Sequence, residues 1–555
     1  MATMFLALTV VSGYGLDSDA AYKSAGSQAL IEESYQSGQI SLGDKIFYSI
    51  QALYDEQSLP AGLKSDSPEL IKSGTELILE AYQNWDILSP EQQNKVSDYT
   101  TRQPLDTFCI SPENYFIIHY DTIGTQAVPL EDLDIDGIPD YAERVGIYAD
   151  SAYRHYHNNL EYYPPPLEPG ELYEIYLLKL GAYGVTVPEV PGDSSWNDFT
   201  SHMEIHCNFE GPMFGPNDDP EGKVIGAQKV TCAHEYYHAV QFAYDFDYGN
   251  RWWMECTAVF FEDVLYPEVN DNYNYLDLFF DFPDTFLIID NSHMYGTFIW
   301  ASYLVDNYGF DLLRSSFEYI RYYPMMNAID TALGFFDVNI KRVFPEFTIW
   351  NYFTADRASS IFYADAADYP PVVFDQTVSD FPLAVVEPIK GPDGLGSNYV
   401  MCYPDVEQEA FFMFRFQGSQ LATWGLSYII YENGSDIEYT EALVDDYARS
   451  KWGIYDFAVM DSMVVIPCVI SQYNDDNNYQ LYVDTYQYGD VDYSGDLNIL
   501  DVVHLINYKY KDGSEPDYDI RMGDTDCDGD INIIDIVYLI SSIYKNGPLP
   551  GPCRD

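Results

Sequence analysis

Thr231-Cys232-Ala233-His234-Glu235-Tyr236-Tyr237-His238-Ala239-Val240-Gln241 is the stretch from which the rest of the chain can be read. On a helix, residues four apart share one face. His234 and His238 therefore present their rings together, and two imidazole nitrogens can bind one Zn²⁺ at about 2.0–2.1 Å each. Glu235 follows the first histidine, where a carboxylate reaches water beside such a metal and serves as general base. No other charged residue interrupts the stretch. That predicts a buried helix.

A catalytic zinc needs a third protein ligand. Arg251-Trp252-Trp253-Met254-Glu255-Cys256-Thr257-Ala258-Val259-Phe260-Phe261-Glu262-Asp263 reads as a second apolar helix. Glu255 lies 255 − 238 = 17 residues past the second histidine, room for a loop over 244–250 and an antiparallel return. Glu262 is a rival third ligand on a similar face. Glu262 or Asp263 could instead orient a ligand histidine from behind, or be solvated.

These two segments together resemble the gluzincin group of zinc metallopeptidases, which take a zinc-binding helix and a glutamate from a following helix. Met254-Glu255-Cys256-Thr257-Ala258 is similar to the group's glutamate segment, with Cys256 where glycine is usual and a slightly shorter spacing. More narrowly, the chain from Cys109 to about Ala355 resembles a family of secreted bacterial metallopeptidases. That family pairs an Asp-rich Gly-Ile-Pro-Asp segment with the zinc motif. The resemblance implies an α+β zincin-like domain over 106–360, peptide-bond hydrolysis, and Glu255 as the third ligand. Such a reaction needs a donor for the developing oxyanion. Tyr295, with His293, is the candidate in Asn291-Ser292-His293-Met294-Tyr295-Gly296. Ser201-His202-Met203-Glu204-Ile205-His206 alternates like an edge strand, which by fold analogy would align a peptide by strand addition.

Acidic loops supply a second metal chemistry. Residues 132–143 place Asp132, Asp134, Asp136, Asp140 and Glu143 at positions 1, 3, 5, 9 and 12 of a twelve-residue calcium loop, with Gly137 at the sharp turn. A helix is expected after this loop and none before it. Near the C-terminus the pattern is duplicated with an offset of 524 − 490 = 34 residues. One copy uses Asp490, Asp492, Ser494, Asp496 and Asp501; the other uses Asp524, Asp526, Asp528, Asp530 and Asp535. Apolar helices over 502–510 and 536–544 are expected to follow. The pair resembles a dockerin, a module of two calcium-loop-plus-helix repeats, and so implies Ca²⁺ and a cohesin-like partner. Ile499-Leu500 and Ile533-Ile534 stand where polar recognition residues are common in that family. They point to another docking partner or to an intramolecular face.

The remaining chain sets the organisation. At 555 residues it exceeds one core, and the expected fold is multidomain. Residues 1–15 read as a signal-peptide core without a basic n-region, either truncated or atypical. Residues 16–105 read as helical, either a propeptide or a packed N-terminal subdomain, with one helix around 45–54 and another near 69–85. Residues 365–487 alternate in short segments, as in a β-sandwich, and 488–555 form the small α-helical dockerin-like domain. A net charge of −63 argues against nucleic acid. Calcium binding, solvation in a salty medium and ordinary solvated loops all draw on that charge. Eight cysteines without a CxxC pair fit disulfides of an extracellular protein, with Cys527–Cys553 and Cys402–Cys468 as local clips, or buried thiols. No later stretch is long enough and free enough of charge to span a membrane. The expectation is a secreted zinc endopeptidase acting on protein or peptide. The alternatives are a zinc hydrolase of a non-peptide bond and a non-catalytic calcium-binding extracellular scaffold or surface protein.

Overall fold

Apolar residues on both sides of a strand call for layers on both faces of its sheet, and the strand Ala182–Pro191 is buried along most of its length. The computed structural model describes residues 26–66, 70–192, 194–289, 291–379, 385–404, 410–432, 434, 436–472 and 476–554. The signal-like run at 1–15 lies outside them. The protein is a multidomain mixed α/β protein with three sheets among the described residues. It divides into two compact units: the chain up to Met254 with Phe261–Asp271, and Glu255–Phe260 with Asn272 onward.

The first unit runs α1 (Ser27–Gln36), α2 (Leu42–Asp55), β1 (Ile71–Ser73), α3 (Thr75–Gln83), α4 (Pro90–Tyr99), β2 (Thr107–Ile110), β3 (Phe116–Tyr120), α5 (Asp140–Tyr153), β4 (Tyr173–Leu178), β5 (Ala182–Pro191), β6 (Phe199–His206) and α6 (Lys223–Phe242). The helix α7 (Arg251–Leu265) contributes to both units. The six strands form one mixed sheet in the order β1-β5-β6-β4-β3-β2. The period of two along β5 divides its side chains between the faces. Val185 and Val187 join Ile46, Ile50 and Leu53 of α2 and Ile78 and Ala81 of α3 in one core. Gly184 and Thr186 face α6.

The segment expected to be helical near 69–85 instead opens with β1, which pairs in parallel with β5 at Ile71↔Ala182 and Ser73↔Gly184. Residues from the N-terminal block thus belong to the sheet and the core of the first unit. The expected edge strand at 201–206 is corrected. It is β6, paired with β5 on one side and β4 on the other, and so offers no free edge. Its alternation misleads because its polar residues are buried. His202 Nδ1 meets Glu189 at 3.0 Å, and Tyr54 donates to Glu204 at 2.7 Å.

The second unit begins with α8 (Leu276–Phe280), α9 (His293–Gly296), α10 (Phe298–Tyr308), α11 (Phe310–Ile320), α12 (Met325–Leu333) and α13 (Ile340–Tyr352). Then come β7 (Gln376–Val378), β8 (Val400–Cys402), β9 (Phe411–Gly418), β10 (Trp424–Glu432), β11 (Asp436–Glu441), β12 (Arg449–Ile454), β13 (Ser462–Val469) and β14 (Tyr479–Tyr486), and finally α14 (Ile499–Tyr510) and α15 (Ile533–Tyr544). The strands make a sheet β11-β10-β13-β8-β7 and a sheet β12-β9-β14. One core takes residues from both sheets, among them Val465 of β13 and Phe412, Phe414 and Phe416 of β9. The other face of β9 presents Phe411 and Met413 to Val502, Leu505, Ile536 and Leu539 of the terminal helices. The terminal module is therefore packed on the smaller sheet.

Cys527 and Cys553 form a disulfide, and the other six cysteines are free and buried. Cys402 pairs with Met463, five residues from Cys468 along β13, about 17 Å of extended chain. The expected Cys402–Cys468 clip is therefore out of reach. No helix among the described residues is long and apolar enough to cross a membrane.

The pairing of buried His202 on β6 with Glu189 on β5 carries a pH signature. Burial alone would lower His202, but the hydrogen bonds and charges of Glu189 and Glu204 raise it above its usual value. Burial would lift Glu189 too, yet His202 and Arg102 draw it down to about 2. Because His202 is raised on folding, its contribution is complete below the unfolded value of about 6.5 and is lost as pH rises through the folded value. Urea midpoints of the wild type should therefore fall across that window more than those of His202→Gln. Parallel pH curves would show that the pair contributes nothing.

Candidate metal centre

The zinc motif lies in the middle of α6, whose residues are buried without a break from Gly226 to Phe242. A helix buried along this length needs cover on every side, although it carries Gln228, Lys229 and Glu235, and aromatic rings do much of the covering. Tyr156 donates to the Ala233 carbonyl at 2.9 Å, Tyr237 to the Tyr162 hydroxyl at 3.1 Å, and the Tyr236 hydroxyl lies 2.9 Å from His157 Nε2. Part of the chain's high tyrosine content is spent here. These rings fill space while their hydroxyls satisfy buried acceptors.

His234 and His238 point their Nε2 atoms at each other, 3.0 Å apart. Their other nitrogens decide the protonation. His234 Nδ1 is 2.7 Å from Glu262 Oε1, a carboxylate that only accepts. His238 Nδ1 is 2.8 Å from Gln241 Oε1. The Gln241 amide cannot be reversed, because its Nε2 donates to the Met254 carbonyl at 3.0 Å. Both Nδ1 atoms are therefore donors, and in the neutral rings both Nε2 atoms carry lone pairs. Two lone pairs converging in a buried site repel unless a cation lies between them. Glu255 completes the group: one oxygen of its carboxylate and one nitrogen of each ring all lie within 4.8 Å of one another. All three side chains are buried. The donor set is the two histidines and one glutamate that suit zinc. Glu262, the rival ligand, stands behind His234 instead.

Glu235 is buried and turned toward β5. Its Oε2 accepts from the Thr75 hydroxyl at 2.9 Å and lies 2.8 Å from the Thr186 hydroxyl. Its Oε1 is buried and has no hydrogen-bond partner among the described residues. A buried carboxylate oxygen left in that state is costly, and such atoms concentrate where a substrate or water is to be met. The approach of Glu235 to the sheet depends on Gly184. A Cβ there would lie 2.5 Å from Glu235 Cγ and 2.8 Å from Thr231 Cγ2.

Lys72 carries the arrangement outward. Its ammonium is 2.8 Å from Glu262 Oε2 and also pairs with Asp271, all three side chains being buried. Burial raises Asp271 above its ordinary value, against the pull of Lys72. Lys72, Thr75, Thr186 and Asp271 carry no sequence signature. Gln241 does, since it sits three residues after His238 on the same helix face. Tyr295 is placed on α9 in the second unit, buried, with its ring 5.2 Å from that of Tyr275. His293 Nδ1 donates to the Leu278 carbonyl at 2.7 Å, and burial lowers this histidine to about 4.

The three acidic loops share one backbone. Loop position 4 has positive φ in each, at Ile135 (63°), Tyr493 (52°) and Cys527 (61°), as does the position-6 glycine, Gly137 (93°), Gly495 (90°) and Gly529 (91°). The first aspartate accepts from the amides of positions 5 and 6 in every case: Asp132 at 3.2 and 3.0 Å, Asp490 at 3.1 and 2.9 Å, Asp524 at 3.1 and 3.0 Å. Carboxylate oxygens come within metal-sharing distance in the groups Asp132–Asp134–Asp136, Asp134–Asp140–Glu143, Asp490–Asp492–Asp501 and Asp524–Asp526–Asp528. Asp535 is buried and accepts from the amides of Thr525 and Asn532 at 2.8 and 2.7 Å. Ser494 Oγ reaches the Asp496 carbonyl at 3.3 Å, and the Asp530 carbonyl accepts from Asn532 Nδ2 at 3.1 Å. Burial, with Asp501 and Asp492 alongside, lifts Asp490 to about 6. Glu143 is raised by desolvation and by Asp136 and Asp134. Oxygen-only donors under mutual repulsion are suited to a hard divalent cation.

Comparison with family models found no match for the chain, and comparison with curated proteins found none either.

Proposed function

We propose that the protein is a secreted zinc-dependent endopeptidase, held to a partner through a calcium-binding, dockerin-like C-terminal module. The observation that carries the zinc reading is the buried group His234, His238 and Glu255, in which one nitrogen of each ring and one carboxylate oxygen all lie within 4.8 Å of one another. Residues 106–360 would then form a zincin-like domain, with His234, His238 and Glu255 holding the metal. Zinc bound there supplies a Lewis acid that polarises the scissile carbonyl and makes water more acidic. Glu235 is the general base. Its clamped Oε2 fixes the carboxylate plane, and its open Oε1 takes the proton of the attacking water and returns it to the leaving amine. Burial strengthens each of these electrostatic contacts. Peptide as the substrate rests on the resemblance of the motif and its glutamate helix to the gluzincins.

The purified protein should hold one zinc, lost in His234→Ala. Glu235→Gln should keep the metal and lose casein hydrolysis by about 10²–10⁴-fold, the range of a missing general base. A protein that binds only calcium and leaves peptides intact would be the extracellular scaffold instead. One that holds zinc but cleaves no member of a peptide library would be a hydrolase of another bond.

The calcium reading rests on the shared geometry of the three loops. Saturating calcium should raise the melting temperature of the second unit. At a hundredfold excess over Kd the gain is about 2.7 kcal/mol per site. Asp490→Ala and Asp524→Ala should each remove one ion of the terminal pair, and Asp132→Ala the ion of the first unit, by calorimetric titration. Melting curves identical in calcium and in chelator would reject this assignment.

A further inference from the structure

The N-terminal block reaches the metal centre at two separate points. Lys72, at the middle of β1, neutralises Glu262, the carboxylate that holds the ring of His234. Thr75, the first residue of α3, is the donor to Glu235 Oε2. The Thr75 hydroxyl has a defined direction. Its oxygen accepts from the Thr186 amide at 2.8 Å, which leaves its hydrogen for the carboxylate at 2.9 Å. The Thr186 hydroxyl, by contrast, stands between two acceptors, the Glu235 carbonyl at 2.7 Å and Oε2 at 2.8 Å. Thr75 is therefore the hydroxyl wholly committed to the glutamate side chain. The strand register makes both contacts possible. Ser73 lies beside Gly184, and the Gly74 amide donates to the Gly184 carbonyl at 2.9 Å, at the point where the missing side chain admits Glu235.

We infer that the β1–α3 junction is a permanent part of the metal centre, with Lys72 as a positioning residue for the zinc ligand His234 and Thr75 as a positioning residue for the general base Glu235. The N-terminal block is then a retained layer of the enzyme and not a propeptide to be discarded. This inference rests on the zinc reading above. Outer partners of metal ligands typically change affinity or activity by about 10–100-fold when removed, and these two residues act on different quantities. Lys72 acts on zinc affinity through a histidine; Thr75 acts on turnover through the base.

The test uses the full chain. Zinc affinity is measured by competition with a chelator and turnover on casein, with near-ultraviolet circular dichroism to confirm folding. Lys72→Met should release zinc roughly 10–100-fold more readily, and Lys72→Arg should recover most of the affinity. Thr75→Val removes one hydroxyl at constant shape. It should leave zinc affinity unchanged and lower kcat by about tenfold at constant KM, with Thr75→Ser restoring it. Should Lys72→Met fail to fold, Thr75→Val still decides the matter. A folded Thr75→Val with wild-type kcat overturns the inference, as does a zinc-loaded, active protein from which residues up to 105 have been cleaved away. In both cases a wild type holding zinc shows that the zinc reading stands. A wild type that holds no zinc removes both.

Discussion

Two histidines and a glutamate on one helix, all out of water, are tolerable only if each polar atom has a partner. That demand organises the first unit. It places Gln241 one turn after His238 and Glu262 opposite His234. Glu262 is then a second buried charge, and Lys72 and Asp271 follow from it. Glu235 in its turn requires Thr75 and Thr186, and the close approach requires Gly184. Each partner creates the need for the next, until the chain of obligations reaches a strand at the sheet's edge. Glu235 Oε1 stands outside this accounting, buried and without a hydrogen-bond partner among the described residues.

The legible part of this site was the local part. His234, Glu235 and His238 share a helix face, and Glu255 follows at a distance one loop can span. Thr75 and Glu235 are 160 residues apart, and no periodicity links them. The same limit explains the misread strand at 201–206. Alternating polar residues usually mark a solvent face. On β6 the polar residues are buried because His202, Glu189, Glu204 and Tyr54 satisfy one another. Pattern reports polarity, and only the fold reports whether a polar residue has a partner inside.

The second unit holds a pattern that the reading of 365–487 as alternating segments passed over. Phe411-Phe412-Met413-Phe414 is apolar at successive positions, so a strand there must be covered on both sides. Even-numbered residues enter the core between the two sheets, and odd-numbered ones enter the core under α14 and α15. The terminal module is thereby a layer of this unit. Its tail reinforces the same junction. Cys553 is bonded to Cys527 within the second acidic loop, its amide donates to the Tyr455 hydroxyl at 2.9 Å, and Arg554 pairs with Asp456.

Duplication has a consequence for the faces of that module. Two copies of one loop-and-helix sequence carry two copies of every face, inner and outer. The inner residues Val502, Leu505, Ile536 and Leu539 are covered by β9. The outer ones remain in equivalent pairs: Ile499 with Ile533, Leu500 with Ile534, Val503 with Val537, each between 43 % and 57 % exposed. Single exposed apolar residues need no explanation. Six at repeated positions of two helices are different, because loop positions 10 and 11 lie beside the aspartates that fix the helix start. Asn498 and Asn532 cap these helices, with Asp501 and Asp535 completing each box. Whatever holds the loops in shape therefore also fixes the spacing of the apolar pairs, so that the order of the acidic loops and the presentation of this face are one property.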